Sequence, residues 1–205
     1  MPKLWTDTIE THKREVQAAI LDTAARLVAD HGLAAVTMSQ IAEAAGIGRA
    51  TLYKYYPDIE AILVAWHERH VADHIARLVA ARDAARGVRA RLEAVMATYA
   101  SIAFERARGH DHSAPPGHVH GHAGTDVDAL VHQEAHAGKL NRRLDEIFRD
   151  VIAEAAKAGV VRCDIPVAEL ARYCVHALGA ARELPSMLAV RRLVEITFEG
   201  IAPRR

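Results

Sequence analysis

The feature that most restricts the fold is the spacing of the apolar residues, which recur with the period of an α-helix in segments that end at Gly or Pro. Over about residues 11–30, Val16, Ile20, Ala24 and Leu27 lie three or four positions apart, so they share one face of a helix. No segment alternates apolar and polar residues as a half-buried strand does. The pattern predicts an all-α protein with about nine helices.

Gly and Pro residues predict where these helices end. Gly32 follows the first segment, Gly46 follows the second, and Pro57 stops the third because Pro cannot continue a helix. We therefore expect two domains, residues 1–57 and residues 58–205. In the second domain the pattern predicts helices over about 58–86, 88–108, 126–137, 141–158, 166–183 and 187–201.

The composition excludes several classes of protein. Basic and acidic residues number 26 each, so bulk charge gives no support for nucleic-acid binding, which has to rest on local placement. The longest apolar run without a charge, residues 94–104, has 11 residues, whereas crossing a bilayer takes roughly 20. Two cysteines, Cys163 and Cys174, are too few for a disulfide framework. We expect a cytoplasmic protein with no membrane partner.

Residues 37–55 have the pattern of a helix-turn-helix. Thr37 and Gln40 form a Thr-x-x-Gln capping box, and Gly46 supplies the backbone freedom that the turn at residues 45–48 needs. The apolar positions that would lock the two helices together are Ile41, Ala42, Ala45, Ile47 and Leu52. Donors for phosphates and base edges on the exposed face of the second helix would be Arg49, Thr51, Tyr53, Lys54, Tyr55 and Tyr56.

The longer stretch over residues 32–57, G-L-x-x-V-T-M-S-Q-I-A-E-A-A-G-I-G-R-A-T-L-Y-K-Y-Y-P, strongly resembles the N-terminal domain of TetR-family repressors, and the resemblance covers about residues 12–65. It implies an N-terminal three-helix DNA-binding domain and a C-terminal helical domain for ligand binding and dimerisation. The function it implies is a one-component transcriptional repressor that binds a palindromic double-stranded operator as a homodimer and is released by a small-molecule effector. Such a protein is not an enzyme and needs no cofactor.

Carried over residue by residue, the resemblance implies a set of DNA contacts. Thr37 would touch a backbone phosphate while it caps its helix, and Tyr53 would meet another phosphate. Leu52 and Tyr56 would pack inward. From the leading end of the recognition helix along its groove-facing side, the implied DNA-binding residues are Arg49, Ala50, Thr51, Tyr53, Lys54 and Tyr55.

Two departures from the family's pattern bear on DNA binding. Gly48 stands where Ser is common, which removes a capping hydroxyl at a cost of roughly a few tenths of a kcal/mol. Ile59 stands where Lys is common, so one phosphate contact at the start of the fourth helix would be missing. Asp58 can cap that helix. The basic residues that could compensate for the lost contact are Lys3, Lys13 and Arg14.

The last predicted helix, residues 187–201, is apolar on most of its sides, and such a helix has to be buried from more than one direction. A partner subunit would provide the second direction, and the preceding helix carries a matching apolar stripe. Two copies of both helices could form a four-helix interface about a two-fold axis. The alternative is a helix at the centre of a larger monomeric core. The candidate interface residues are Leu170, Tyr173, Cys174, Ala177, Leu178, Leu193 and Ile196.

The resemblance also implies an effector pocket among the fourth to eighth helices. The residue types that could line it are aromatic side chains, one Met and two His, each of which could equally belong to the core or the surface. These candidates are Trp66, His70, Met96, Tyr99, Phe104 and His176.

Histidine is unusually frequent, with 13 residues in the chain. Residues 109–125 hold five of them with four Gly and two Pro, which predicts a flexible loop. Three of these His alternate along the chain and could converge on one metal ion, and two later ones lie four apart on a predicted helix. The candidate metal ligands are His118, His120, His122, His132 and His136. We expect adventitious metal affinity, with a regulatory Zn, Ni, Cu or Co site as the alternative.

Three functional readings are therefore in competition. The alternatives to a repressor released by an organic effector are a metal-responsive regulator and, in a different class, a helical metal-binding protein or metalloenzyme. The sequence contains no Glu-x-x-His, no His-Glu-x-x-His and no Gly-x-Ser-x-Gly, so the usual patterns of helical di-iron proteins, zinc proteases and serine hydrolases are missing. A metal-storage protein would leave the capping box, the turn and the tyrosine-rich helix unexplained. The sequence favours the repressor.

Overall fold

A computed structural model describes the backbone of residues 3–109 and 134–203 and, within them, the side chains of residues 9–108 and 142–203. This part of the chain forms eight α-helices and two short 3-10 helices, and no strand. The α-helices are α1 (Lys3–His31), α2 (Met38–Ala44), α3 (Arg49–Tyr55), α4 (Ile59–Ala84), α5 (Val88–Gly109), α6 (Glu134–Lys157), α7 (Val167–Gly179) and α8 (Met187–Gly200). The 3-10 helices are Leu33–Ala35 and Ala180–Glu183. The predicted all-α class is confirmed.

Two predicted helix limits are wrong. Helix α1 begins at Lys3 rather than near Thr11, because no Gly or Pro interrupts the chain between these positions. The predicted break between residues 137 and 141 does not exist, and α6 runs through Gly138 without interruption. A single Gly costs a helix only about 1 kcal/mol relative to Ala, which a helix of this length tolerates.

The described residues divide into two compact units. The first comprises the chain up to His70 together with residues 134–136, and the second comprises residues 71–109 and 137–203. The division falls inside α4, whereas the boundary predicted from the sequence, 57/58, falls just before α4 begins. The first half of α4 belongs with α1, α2 and α3 because its apolar residues pack into their core.

The core of the first unit contains fully buried residues from each of four helices. Ile20 of α1, Ile41 of α2, Leu52 of α3 and Ile62 of α4 are all inaccessible to solvent and belong to one cluster. Helices as short as α2 and α3 are marginal by themselves, so their stability comes from this packing. A single apolar cluster therefore sets the positions of both short helices.

Helix α5 is central to the second unit, where it packs against α7, α8 and the 3-10 helix Ala180–Glu183. Met96 of α5, Phe148 of α6 and Leu178 of α7 are fully buried in the common core. The ring of Tyr99 meets Phe148 edge to face, with 5.5 Å between ring centroids. None of the helices described here is long and apolar enough to cross a membrane.

Side-chain caps begin α4 and α8. Asp58 Oδ1 accepts a hydrogen bond from the backbone N–H of Ala61 at 2.8 Å and so caps α4, as its sequence predicts. Ser186 Oγ accepts from the backbone N–H of Ala189 at 3.3 Å at the start of α8. Both bonds satisfy backbone donors that have no partner within the helix.

Candidate nucleic-acid interface

Helix α2 begins with a complete capping box. The Thr37 hydroxyl accepts a hydrogen bond from the backbone N–H of Gln40 at 3.3 Å, and the backbone N–H of Thr37 donates to Gln40 Oε1 at 2.8 Å. The capping box predicted from the sequence is confirmed. Thr37 remains exposed, so its position at the helix start is open to a partner.

The turn after α2 is closed by two backbone hydrogen bonds. The N–H of Gly46 donates to the carbonyl of Glu43 at 3.1 Å, and the N–H of Ile47 donates to the carbonyl of Ala42 at 3.0 Å, which is the pattern of a Schellman motif. Gly46 has a φ of +69°, in the left-handed region that residues with a Cβ rarely adopt. The turn therefore needs a Gly at this position.

Apolar packing fixes α3 relative to α2. Ile41, Ala42 and Leu52 are buried, while Ala45 and Ile47 are half-buried and pack against the same cluster. All five apolar positions expected to lock the helix-turn-helix therefore lie in or against the core of the first unit.

The outer face of α3 is polar and carries positive charge. Arg49, Ala50, Thr51 and Lys54 are exposed, and Tyr53 is 55% exposed although its ring is large and aromatic. No acidic residue occurs within α3. The chain as a whole has no net charge, so this local surplus of hydrogen-bond donors is what suits the helix to a polyanion.

The two tyrosines at the end of α3 face differently from Tyr53. Tyr55 and Tyr56 are half-buried and pack against the first core. Burial raises the pKa of the Tyr56 hydroxyl, and the nearby positive charge of Arg69 lowers it in part. Tyr56 lies inward as expected, whereas Tyr55, expected on the groove-facing side, offers only part of its surface to a partner.

The start of α3 has no side-chain cap. Gly48 takes the N-cap position with φ −71° and ψ 146°, a conformation open to any residue, and it has no side chain to accept the free N–H groups. A Cβ placed on Gly48 would meet Thr51 Oγ1 at 3.8 Å, an ordinary contact. The structure therefore has room here for the Ser that the family commonly carries.

The basic residues that could add to this face lie on α1. Lys13 and Arg14 are exposed, and Arg14 Nε donates to the carbonyl of Glu10 at 3.3 Å. The side chain of Lys3 lies outside the described residues. Ile59, where a Lys is common, is half-buried against the first core and presents no charge.

The six candidate effector residues are divided between the two units. Trp66 and His70 belong to the first unit, where their rings lie 4.1 Å apart between centroids. In the second unit Met96 and Phe104 are buried in the core and Tyr99 is half-buried beside them. His176 is exposed on α7, and its Nδ1 lies 3.0 Å from the carbonyl oxygen of Arg172.

Two clefts open on the second unit, and neither is lined by a candidate effector residue. One, of about 410 Å³, is lined by Arg82, Asp83, Arg91, Asp150, Val151 and Glu154. The other, of about 500 Å³ between α5 and α8, is lined by Arg89, Glu93, Ala97, Ser101, Met187, Val190, Arg191, Val194, Glu195, Phe198 and Glu199. Arg91 forms an ion pair with Glu154 and Arg82 one with Asp83, so both cations of the first cleft are already paired.

The candidate interface residues separate into two groups. Leu170, Cys174 and Leu178 are at most 3% exposed and pack in the core of their own chain, which removes them from the candidate interface. The same apolar surroundings raise the pKa of the Cys174 thiol to about 12. The remaining candidates have surface available to a partner: Tyr173 and Ile196 are exposed, and Ala177 and Leu193 are half-buried.

The candidate metal ligands mostly lie outside the described residues. This applies to His118, His120, His122 and His132 and to the side chain of His136 in α6. Among the residues whose side chains are described, no cluster of three His, Cys, Asp or Glu could hold a metal ion.

The geometry defines the class first: two short helices, a Gly-containing turn and an exposed cationic second helix make this a helix-turn-helix protein. Residues 20–66 match the sequence model of the bacterial regulatory proteins of the tetR family. The N-terminal part of the chain is therefore similar in sequence to the DNA-binding region of that family.

Known proteins resemble the chain in two ways. The HTH-type transcriptional repressor LfrR of Mycolicibacterium smegmatis is 46% identical over 67 residues, which is 32% of this chain and 34% of LfrR. The chain spans about a third of the length of the curated relatives it matches. The fold continues further, since FadR of Bacillus subtilis in complex with stearoyl-CoA superposes with a TM-score of 0.63 at 15% identity, over 90% of this chain and 98% of FadR. The ketosteroid transcriptional regulator KstR2 of Mycobacterium tuberculosis gives 0.63 at 19% identity, over 92% and 95%.

Proposed function

We propose that this chain is a one-component transcriptional repressor that binds a palindromic operator as a homodimer and is released by a small organic effector. The observation that carries the proposal is the exposed, cationic face of α3, held in place by the capping box, the turn and a shared core. In this proposal residues 1–57 bind DNA, and residues 58–205 bind the effector and form the dimer. The site of action is the cytoplasm, where a bacterial operator is found.

The donor groups of α3 suggest a distinct role for each residue. Arg49 at the leading end can donate two hydrogen bonds to a guanine, and the exposed methyl of Ala50 suits a thymine methyl. Thr37 and Tyr53 each have one hydroxyl and Lys54 has an ammonium group, and these donors suit phosphates, which position the protein without reading sequence. Thr51 can serve either a base or a phosphate. Tyr55 takes a secondary part because its ring is half-buried.

Exposed apolar residues on α7 and α8 support the dimer. Ile196 is 63% exposed, and the hydroxyl of Tyr173 lies 2.9 Å from the point where a Cβ on Gly200 would stand, so the two helices cross closely there. A second copy related by a two-fold axis would cover Ile196, Tyr173 and the half-buried Leu193. It would remove from water apolar surface that a monomer leaves exposed.

An apolar organic molecule is the effector class that the proposal favours. The structure of FadR holds stearoyl-CoA, which carries a long hydrocarbon chain, and KstR2 is a ketosteroid transcriptional regulator. Of the candidate pocket residues, Tyr99 has the most suitable surroundings. It is half-buried, and its ring contacts Phe148. Burial raises the pKa of its hydroxyl, and the positive charges of Arg182 and Arg106 lower that pKa in part. Its hydroxyl is therefore a neutral donor at the edge of an apolar core.

A DNA-binding assay with matched lysine variants tests the proposal. Fluorescence anisotropy would be measured on labelled DNA from beside the gene, with wild-type protein, Lys54→Ala and Lys157→Ala. Both lysines are exposed, but Lys157 lies in the second unit. We expect specific binding by the wild type and by Lys157→Ala, and weaker binding by Lys54→Ala. Equal losses in the two variants, or binding no tighter than to random DNA, would contradict the proposal.

A further inference from the structure

Arg69 joins two helices at the edge of the first unit. It lies in α4, one residue before the division after His70. Its guanidinium forms an ion pair with the carboxylate of Asp22 in α1. The two residues are 47 positions apart in sequence, so this contact ties α4 to α1 rather than stabilising one helix locally.

The end of α3 packs against the core that α1 and α4 share. Tyr56 closes that helix, with its backbone N–H donating to the carbonyl of Leu52 at 3.0 Å. Its half-buried ring packs against the first core, and the positive charge of Arg69 lowers the pKa of its hydroxyl against the larger effect of burial. Arg69 therefore links α1 and α4, and the core of these two helices also holds the end of α3.

We propose that Arg69 is a positioning residue for DNA binding, which sets the orientation of α3 through its ion pair with Asp22, because that pair joins two helices whose core also holds α3. The inference rests on the proposed function and goes beyond it, because neither Arg69 nor Asp22 is assigned a contact with DNA there.

The energetics favour positioning over stability as the role of this pair. The side chain of Asp22 is 61% exposed and that of Arg69 is 30% exposed. An exposed pair shifts an equilibrium by roughly fivefold at most, because water and salt screen it. The buried apolar cluster already holds the helices together, but hydrophobic attraction has no direction. A charge-assisted hydrogen bond does have a direction, so it can fix how the helices are rotated against each other.

The direction in which two substitutions change the affinity for DNA separates positioning from simple electrostatic attraction to DNA. If Arg69 acted through its charge on the phosphates, Arg69→Ala would weaken binding, while Asp22→Asn would strengthen it by removing a negative charge. If the ion pair orients α3, both variants weaken binding, because Arg69→Ala removes the contact and Asp22→Asn leaves at most a weaker hydrogen bond to a neutral oxygen. Loss of a phosphate contact would also lower the slope of log affinity against log salt by about 1, whereas lost positioning leaves the slope unchanged.

The test compares Arg69→Ala and Asp22→Asn with Arg77→Ala in the full chain. Arg77 forms an exposed pair with Glu105 in the second unit, so its variant loses a similar bond away from α3. Operator affinity would be measured over a range of salt concentrations. Since a dimer carries the pair twice, we expect about a tenfold loss for both test variants, no change in salt slope, and no loss for Arg77→Ala. A gain in affinity with Asp22→Asn, or unchanged affinity in both test variants, would overturn the inference.

Hydrogen exchange on the DNA-free protein gives a second measurement that needs no operator. Amides of residues 49–56 should exchange roughly threefold faster or more in both test variants, and at the wild-type rate in Arg77→Ala. Faster exchange in a protein that binds no operator would show that the ion pair positions α3, but it would reject the proposed function. Unchanged exchange with intact operator binding would reject the positioning role alone.

Discussion

The two units of the chain leave opposite kinds of surface exposed. In the first, the outer face of α3 presents Arg49, Lys54 and the Tyr53 hydroxyl. In the second, the large exposed residues of α8 include Leu188 and Ile196, which have no polar group in their side chains. The buried cores are much alike, since both are built from aliphatic side chains. The difference fits the two partners that we propose: a polyanion for the first unit and another apolar surface for the second.

The largest effect is expected when a charge is placed on the exposed apolar surface of α8. Ile196→Arg places a cation at the centre of the proposed dimer contact, so the dimer should dissociate. Operator affinity should then fall by about a hundredfold or more because each half-site is bound alone. Light scattering and anisotropy measure the two effects. Glu195→Arg is the control, since it adds the same side chain at the adjacent exposed position. A dimer with full affinity in Ile196→Arg would contradict the proposed interface.

Substitutions on the first surface should separate sequence reading from positioning. Arg49→Ala should cost about 1–3 kcal/mol on the preferred site and relax the base preference at one position of each half-site. Tyr53→Phe, which removes only a hydroxyl from an exposed ring, should weaken binding to all sequences alike. Affinities for a panel of single-base variants of the operator would show the contrast. If the two variants gave the same pattern across the panel, the assignment of roles along α3 would be wrong.

The start of α3 offers a smaller and more local test. Gly48→Ser should raise the free energy of unfolding by roughly a few tenths of a kcal/mol, because the hydroxyl can cap the helix and the backbone already has a suitable conformation. Gly48→Ala is the control, since it adds a Cβ without the hydroxyl, and Ser should exceed Ala by about 1 kcal/mol. Urea denaturation measures the difference. Equal stability of the two variants would show that the hydroxyl makes no capping bond.

The cysteines test whether α7 contributes its inner face to the dimer. Cys174 is buried and its pKa is raised to about 12, so its thiol should resist iodoacetamide at pH 8, whereas exposed Cys163 should react. The protection of Cys174 should persist in Ile196→Arg because it comes from the core of the same chain. Mass spectrometry after alkylation distinguishes the two sites. Rapid labelling of Cys174 in Ile196→Arg would show that the partner subunit protects this thiol, which would place Cys174 in the interface.

The smallest effect is expected when residues 110–122 are deleted. This expectation rests on the sequence alone. A segment rich in Gly and Pro loses conformational entropy when it closes on a metal ion, and so has little leverage on distant helices. Deleting it should leave dimerisation and operator affinity within about twofold of wild type. A metal ion that binds the free and the DNA-bound protein equally does not change the equilibrium between them. Zinc and nickel would be titrated into both proteins during a DNA-binding assay. Metal-dependent release of DNA that is lost on deletion would support the metal-responsive alternative instead.

The sequence predicts the first unit well because its structure depends on neighbouring residues. The capping box of Thr37, the turn at Gly46 and the cap at Asp58 each involve residues at most a few positions apart, so local rules suffice. The pairing of Arg69 with Asp22 could not be predicted in the same way. It depends on how two helices pack across 47 positions of sequence, and no local pattern marks it.

The second unit shows where apolar periodicity fails. The apolar stripe on α7 predicts an interface, but Leu170, Cys174 and Leu178 fill the core of the same chain. A helical stripe shows which face is buried and cannot show whether its own chain or a partner buries it. The candidate effector residues stay a prediction, since they are grouped by residue type alone and are divided between the two units.

The most direct test of the central claim is to select binding sites from random double-stranded DNA and to count the chains bound to the selected site by native mass spectrometry. The account predicts a palindrome with half-sites about one helical turn apart, occupied by two chains. The same selection with Tyr53→Ala should enrich the same palindrome more weakly. A single unrepeated site bound by one chain, or no enrichment at all, would contradict the account.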